Sequence, residues 1–168
     1  MEKHTILIGL GNALMSDEGI GVRILQELVH RGEVPPQVEP LDLGPGGLSV
    51  LHACTGYARA IFIDCGFMGR PTGTLVAFHP EDVQTIKIRP RQSLHEGDLL
   101  ETLELARRLG QCPPDVTIFA VQPSRVSLGD HLSPELESRL DFYVTTIAHS
   151  LRWAKRDSPF SPNLQGEG

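Results

Sequence analysis

Two hydrophobic rhythms alternate along the chain. Thr5-Ile6-Leu7-Ile8-Gly9 is a short, β-branched, almost wholly apolar run. Such a run predicts a strand covered on both faces. Gly9-Leu10-Gly11-Asn12 then reads as a turn. From near Asp17 the period changes. Ile20, Ile24 and Leu28 recur every four residues, with Leu25 and Val29 beside them, which predicts a helix with one apolar face. Asp17 and Glu18 stand in its first turn, where acids meet the helix dipole favourably. Pro35-Pro36 forbids its continuation.

Further strands are predicted over residues 38–43, 59–64, 74–79 and 116–121. A glycine-rich loop over 44–47 leads to a short helix over 48–54. Residues 80–93 carry a weak pattern and read as a long loop with some extended structure. A helix is predicted from about 97 to 109, with Leu99, Leu100, Leu103 and Ala106 inward. Ser133-Pro134 reads as an N-cap followed by a first-turn proline. Leu136, Leu140, Val144, Ile147 and Leu151 then continue as one long amphipathic helix. Residues 157–168 are Pro, Ser, Gly and polar, and read as a mobile tail behind a single domain over residues 1–156.

Strands alternating with helices predict an α/β fold, with a mostly parallel twisted sheet of about five strands sandwiched between helices. The 168 residues, 40% of them hydrophobic and 21% charged, suit one domain with a real core. The net charge of −6 argues against non-specific nucleic-acid binding, which needs phosphate-neutralising cations. Cys54, Cys65 and Cys112 are widely spaced and form no CxxC, so neither a disulfide framework nor a zinc finger is indicated. No apolar run approaches the ~20 residues that span a bilayer, and the N-terminus lacks a secretory pattern. The expected location is the cytoplasm.

In parallel α/β sheets the site lies outside the carboxyl ends of the strands. The polar residues there are Asp17 and Glu18 after the first strand, Asp42 at the end of the second, and Asp64-Cys65-Gly66 at the end of the third. His95 stands just before a helix. Carboxylates and an imidazole from separate loops form an oxygen and nitrogen ligand set suited to zinc or nickel, with positions left open. Each has a plainer reading: Glu18 as a first-turn helix acid, Asp64 as a backbone cap, His95 as an ordinary loop residue. An acid ending a run such as Ala60-Ile61-Phe62-Ile63 is nonetheless expensive if buried without a partner. Gly9 and Gly11, with Asp42, leave a nucleotide-binding module as an alternative. The dinucleotide fingerprint is incomplete, because Leu14 stands where its third small residue belongs. Cys65 is a candidate nucleophile that reads more simply as a small buried residue. Arg89-Pro90-Arg91 is a small basic cluster suited to solvent or an acidic partner segment.

The stretch Ile6-Leu7-Ile8-Gly9-Leu10-Gly11-Asn12-Ala13-Leu14-Met15-Ser16-Asp17-Glu18-Gly19-Ile20-Gly21-Val22-Arg23 resembles the opening signature of the hydrogenase maturation proteases. The resemblance continues at Ala60-Ile61-Phe62-Ile63-Asp64, at Ser93-Leu94-His95-Glu96-Gly97-Asp98-Leu99-Leu100 and, more weakly, at Thr117-Ile118-Phe119-Ala120-Val121-Gln122-Pro123. It covers most of residues 5–150. It implies a nickel-dependent endopeptidase that removes the C-terminal extension of a nickel–iron hydrogenase large-subunit precursor. It implies that Glu18, Asp64 and His95 are the metal-contacting and catalytic residues. It also implies that the nickel arrives with the precursor as a recognition element and need not be a permanent cofactor of the protease. A non-catalytic, nickel-dependent chaperone of the precursor would share the same trio.

Overall fold

The computed structural model describes the backbone at residues 4–84 and 94–153, and the side chains at 4–82 and 99–153. Its strands are β1 (Thr5–Leu10), β2 (Val38–Gly44), β3 (Arg59–Cys65), β4 (Leu75–Phe78) and β5 (Asp115–Val121). Its α-helices are α1 (Ile20–His30), α2 (Ser49–Cys54), α3 (Leu94–Arg108), α4 (Pro134–Glu137) and α5 (Leu140–Trp153). The five strands form one sheet in the order β2-β1-β3-β5-β4. The pairs β1–β2, β1–β3 and β3–β5 are parallel, and β4 lies antiparallel to β5 at one edge. At the other edge Pro40 of β2 stands opposite Leu7 of β1. The α/β architecture and the mostly parallel sheet agree with the sequence expectation.

The two faces of the sheet separate by residue parity. Leu7, Ile61, Ile63, Phe119 and Val121 face one core layer with Ile20, Ile24 and Leu28 of α1 and Tyr143, Val144 and Ile147 of α5. Ile6, Ile8, Phe62, Ile118 and Ala120 face the other with Val50 of α2 and Leu99 and Leu103 of α3. Because both faces are covered, the strands read as unbroken apolar runs rather than alternating ones. Each aliphatic side chain so buried contributes roughly 2 kcal/mol.

Three expectations change in detail. The helix expected near Asp17 opens instead as a 3-10 turn over Ser16–Gly19, and α1 starts at Ile20. The long helix expected after Ser133 is broken. The Ser133 hydroxyl accepts the Leu136 N–H at 3.4 Å as predicted, but α4 ends at Glu137 and α5 begins at Leu140. The third helix begins at Leu94, so His95 lies inside its first turn rather than before it. Residues 80–84 form a 3-10 turn, while 85–93 and the tail at 157–168 lie outside the described residues.

Candidate functional site

The carboxyl ends of β1, β3 and β5 share one edge of the sheet, and the turn carrying Glu18 is built there by glycines. Gly11 has φ +131°, and a Cβ on it would meet the Glu18 carbonyl oxygen at 2.0 Å. At Gly21 a Cβ would lie 2.1 Å from the Ile63 carbonyl oxygen and 2.4 Å from that of Leu10. Only glycine allows α1 to start this close to two strands. Gly21 is three residues after Glu18 and Ile63 directly precedes Asp64, so this contact fixes the turn against the end of β3. Gly9 and Gly11 thus serve close backbone packing.

Glu18 and Asp64 are both buried, at 7% and 3% exposure. Asp64 Oδ1 accepts the Cys65 backbone N–H at 2.7 Å, the local cap that the plainer reading foresaw. Asp64 also lines a narrow crevice with Leu10, Val50, and Leu99 and Thr102 of α3. His95 lies one helical turn before Leu99 on α3, and its side chain is outside the described residues. Glu18 and Asp64 thus stand on packed elements at one sheet edge, with α3 against the crevice beside Asp64. Among the described residues no group of three His, Cys, Asp or Glu side chains is placed to hold a metal ion. Asp42 accepts the Gly44 N–H at 2.9 Å as a loop cap. Cys65 is buried at 4% on the face opposite the crevice, among Ile61 and Ile63.

Two polar residues hold this edge in ways the sequence reading missed. Asp17, fully buried, is no dipole-facing helix acid. Its Oδ2 accepts the N–H groups of Ser124 and Arg125, both at 2.9 Å, and its Oδ1 accepts that of Ser133 at 2.6 Å. The loop after β5 is thereby tied to the Glu18 turn. Backbone bonds from Ser16 N–H to the Gly129 carbonyl (2.8 Å) and from Gly129 N–H to that of Leu14 (2.9 Å) complete the seam. Gln122 Oε1 accepts the N–H of Met68 at 2.7 Å and of Arg70 at 3.3 Å, pinning the loop that follows Asp64-Cys65. The signal for Gln122 was its place between Val121 and Pro123 at a strand end. Asp17 had no comparable signal.

A mostly parallel α/β sheet with one buried carboxylate on the Ser16–Gly19 turn and another at the end of β3 defines an α/β protein whose site lies at the carboxyl edge of its strands. The hydrogenase maturation protease family model matches residues 22–150. A hydrogenase expression/formation protein, HoxM, of Cupriavidus necator is 35% identical over 161 residues, covering 95% of this chain and 80% of the relative. The hydrogenase 2 maturation protease of Escherichia coli is 29% identical over 151 residues, covering 88% and 90%. The solved structure of the hydrogenase maturating endopeptidase HybD from E. coli superposes with a TM-score of 0.76 at 27% identity, covering 90% of this chain and 93% of that one. The chain belongs to the hydrogenase maturation protease family. It is accordingly a peptide hydrolase.

Proposed function

We propose that the protein removes the C-terminal extension of a nickel-loaded hydrogenase large-subunit precursor, and that Glu18, Asp64 and His95 read the nickel that the substrate carries. The observation that carries this reading is the burial of Asp64, at 3% exposure, in a narrow crevice at the carboxyl edge, next to the α3 helix that carries His95. Asp64 already accepts the Cys65 N–H at 2.7 Å, which holds its carboxylate in place, and a cation brought by a substrate would be bound by an oxygen set in a fixed orientation. Two carboxylates and an imidazole are a fitting set for a borderline divalent ion such as nickel, and three ligands leave room for the precursor's own. The metal belongs to the substrate in this scheme.

Holding the ion would set the scissile bond at a fixed place beside the turn and the crevice, converting recognition into positioning. A bound divalent ion supplies polarisation of a carbonyl or a lowered pKa for water. The carboxylates of Glu18 and Asp64 orient the substrate and can take up a proton from the attacking water. Three free cysteines, Cys54, Cys65 and Cys112, fit a reducing compartment such as the cytoplasm. Among the described residues no helix is long and apolar enough to cross a membrane.

The test is incubation with purified nickel-loaded precursor followed by intact-mass measurement. The expected result is a mass loss equal to a C-terminal peptide, abolished in Asp64→Asn and Glu18→Gln proteins that keep the wild-type circular dichroism. An unshortened precursor that stays bound to the wild-type protein would instead make this a chaperone, and normal cleavage by Asp64→Asn would remove the metal-reading role.

A further inference from the structure

A recess of about 450 Å³ separates the Glu18 turn and α1 from the segment over residues 130–137. Ser16, Arg23 and Gln26 line it on one side, and Asp130, His131 and Glu137 on the other. Its volume falls within the range of about 300–1,000 Å³ typical of ligand sites. Ser16 and Gly19 both contribute to its wall, and Glu18 stands between them in the chain. The recess therefore borders the turn that presents a proposed catalytic residue.

Two features of the wall suit a bound ligand. The Ser16 hydroxyl is buried and has no hydrogen-bond partner among the described residues. Ser16 is also the one non-glycine residue among them with positive φ, at +53°. Strain of this kind collects at ligand clamps and active sites. Arg23 is half exposed. Its guanidinium lies 3.8 Å from Glu27 and 3.6 Å from Glu137, too far for hydrogen bonds. Arg23 thus pairs with both carboxylates as a charge, while its N–H groups make no hydrogen bond to either.

The recess offers donors from Arg23 and Gln26 and acceptors from Asp130 and Glu137. Carboxylates in the wall oppose a phosphate or a nucleic acid, and the polar lining opposes a lipid. A peptide main chain, which presents carbonyls and N–H groups in turn, matches both signs. We propose that this recess is a subsite for an extended peptide segment of the substrate, flanking the scissile bond and held by Arg23 and Gln26 through its carbonyls. The proposal rests on the protease reading and specifies where the substrate chain runs beyond the Glu18 turn.

The experiment has two arms. In the first, the isotope-labelled full-length protein is titrated with a synthetic peptide spanning the precursor's cleavage junction and followed by amide resonances. Shifts concentrated at residues 16–26 and 130–137, lost in Arg23→Glu and weakened in Gln26→Ala, support the subsite. Shifts confined to other surfaces, or none, overturn it. In the second arm, cleavage of the precursor is expected to show KM raised about tenfold in Arg23→Glu with kcat little changed, and near-normal KM in Arg23→Lys. An unchanged KM in Arg23→Glu overturns the subsite while leaving the protease reading intact. If the wild-type protein binds the peptide in the recess yet leaves the precursor uncut, the protease reading fails and takes the subsite beside a scissile bond with it, leaving only a peptide-binding recess.

Discussion

The Asp17 carboxylate accepts the Ser133 backbone N–H at 2.6 Å across 116 positions of chain. The same carboxylate holds Ser124 and Arg125, so one buried side chain anchors both ends of the loop between β5 and α4 to the turn that bears Glu18. Hydrogen bonds to a charged acceptor contribute about 1.5–3 kcal/mol each, and a buried donor left unpaired costs a similar amount. Asp17→Asn keeps the shape but replaces one acceptor oxygen by a donor. A loss of about 2–4 kcal/mol in urea denaturation is expected. Amide exchange at residues 124–133 should accelerate more than exchange in β1 or β3. Equal acceleration everywhere would contradict the tether.

Gly21 sets how closely α1 can approach the sheet. An alanine methyl there would press on the carbonyl oxygens of Ile63 and Leu10, both of which are backbone and cannot rotate away. Gly21→Ala is expected to destabilise by about 3 kcal/mol, against the slight gain that alanine normally brings to a helix. Chemical denaturation checks the sign directly. On the role proposed for Glu18 and Asp64, the variant should also lose precursor cleavage out of proportion to the unfolded fraction, because the contact joins the Glu18 turn to the end of β3.

Cys65 directly follows Asp64 but lies on the other face of the sheet, buried against α1 and α5 rather than open to the crevice. A nucleophile must reach its carbonyl. Cys65→Ala is therefore expected to retain cleavage while losing about 1 kcal/mol of stability from the vacated volume. An inactive, fully folded Cys65→Ala protein would establish a thiol mechanism.

Tyr143 is buried, and its hydroxyl donates to the Gly73 carbonyl at 2.7 Å. Burial pushes its phenol from 10.0 up to about 12, with Arg139 opposing the shift. The folded protein therefore keeps a proton that the unfolded chain releases above pH 10. The stabilisation is complete below pH 10 and is lost as pH rises toward about 12. Tyr143→Phe should cost about 1–2 kcal/mol near neutral pH, because the Gly73 carbonyl loses its donor. It should also flatten the fall in thermal stability over pH 10–12, read against the wild-type curve. An unchanged alkaline slope would place the titration elsewhere.

β3 and β5 were readable from sequence because both faces of each are covered, and α1 because its apolar stripe repeats every fourth residue. Asp64 was readable as a candidate because a charge closing an apolar strand demands explanation. The direction of β4 was missed although the chain encodes it. Residues 66–74 are too few for the dozen or so residues of a crossover, so the chain must turn back and run antiparallel. The break between α4 and α5 has no glycine or proline to announce it. Asp17 was unreadable for a different reason: its donors are backbone N–H groups more than a hundred positions away, which leave no trace in side-chain pattern. The Glu18 turn was mistaken for ordinary helix because the close approach of Gly11 and Gly21 is a tertiary fact.

Pro40 in the outermost strand has a consequence for the molecule's neighbours. An edge strand with a full row of free amide donors is a template on which another chain can polymerise. Proline removes one donor from that row and stiffens the strand at the same point. On the opposite margin β4 supplies only four residues, too short a rail for another strand to follow. The two margins of the sheet thus give another chain little template for strand exchange.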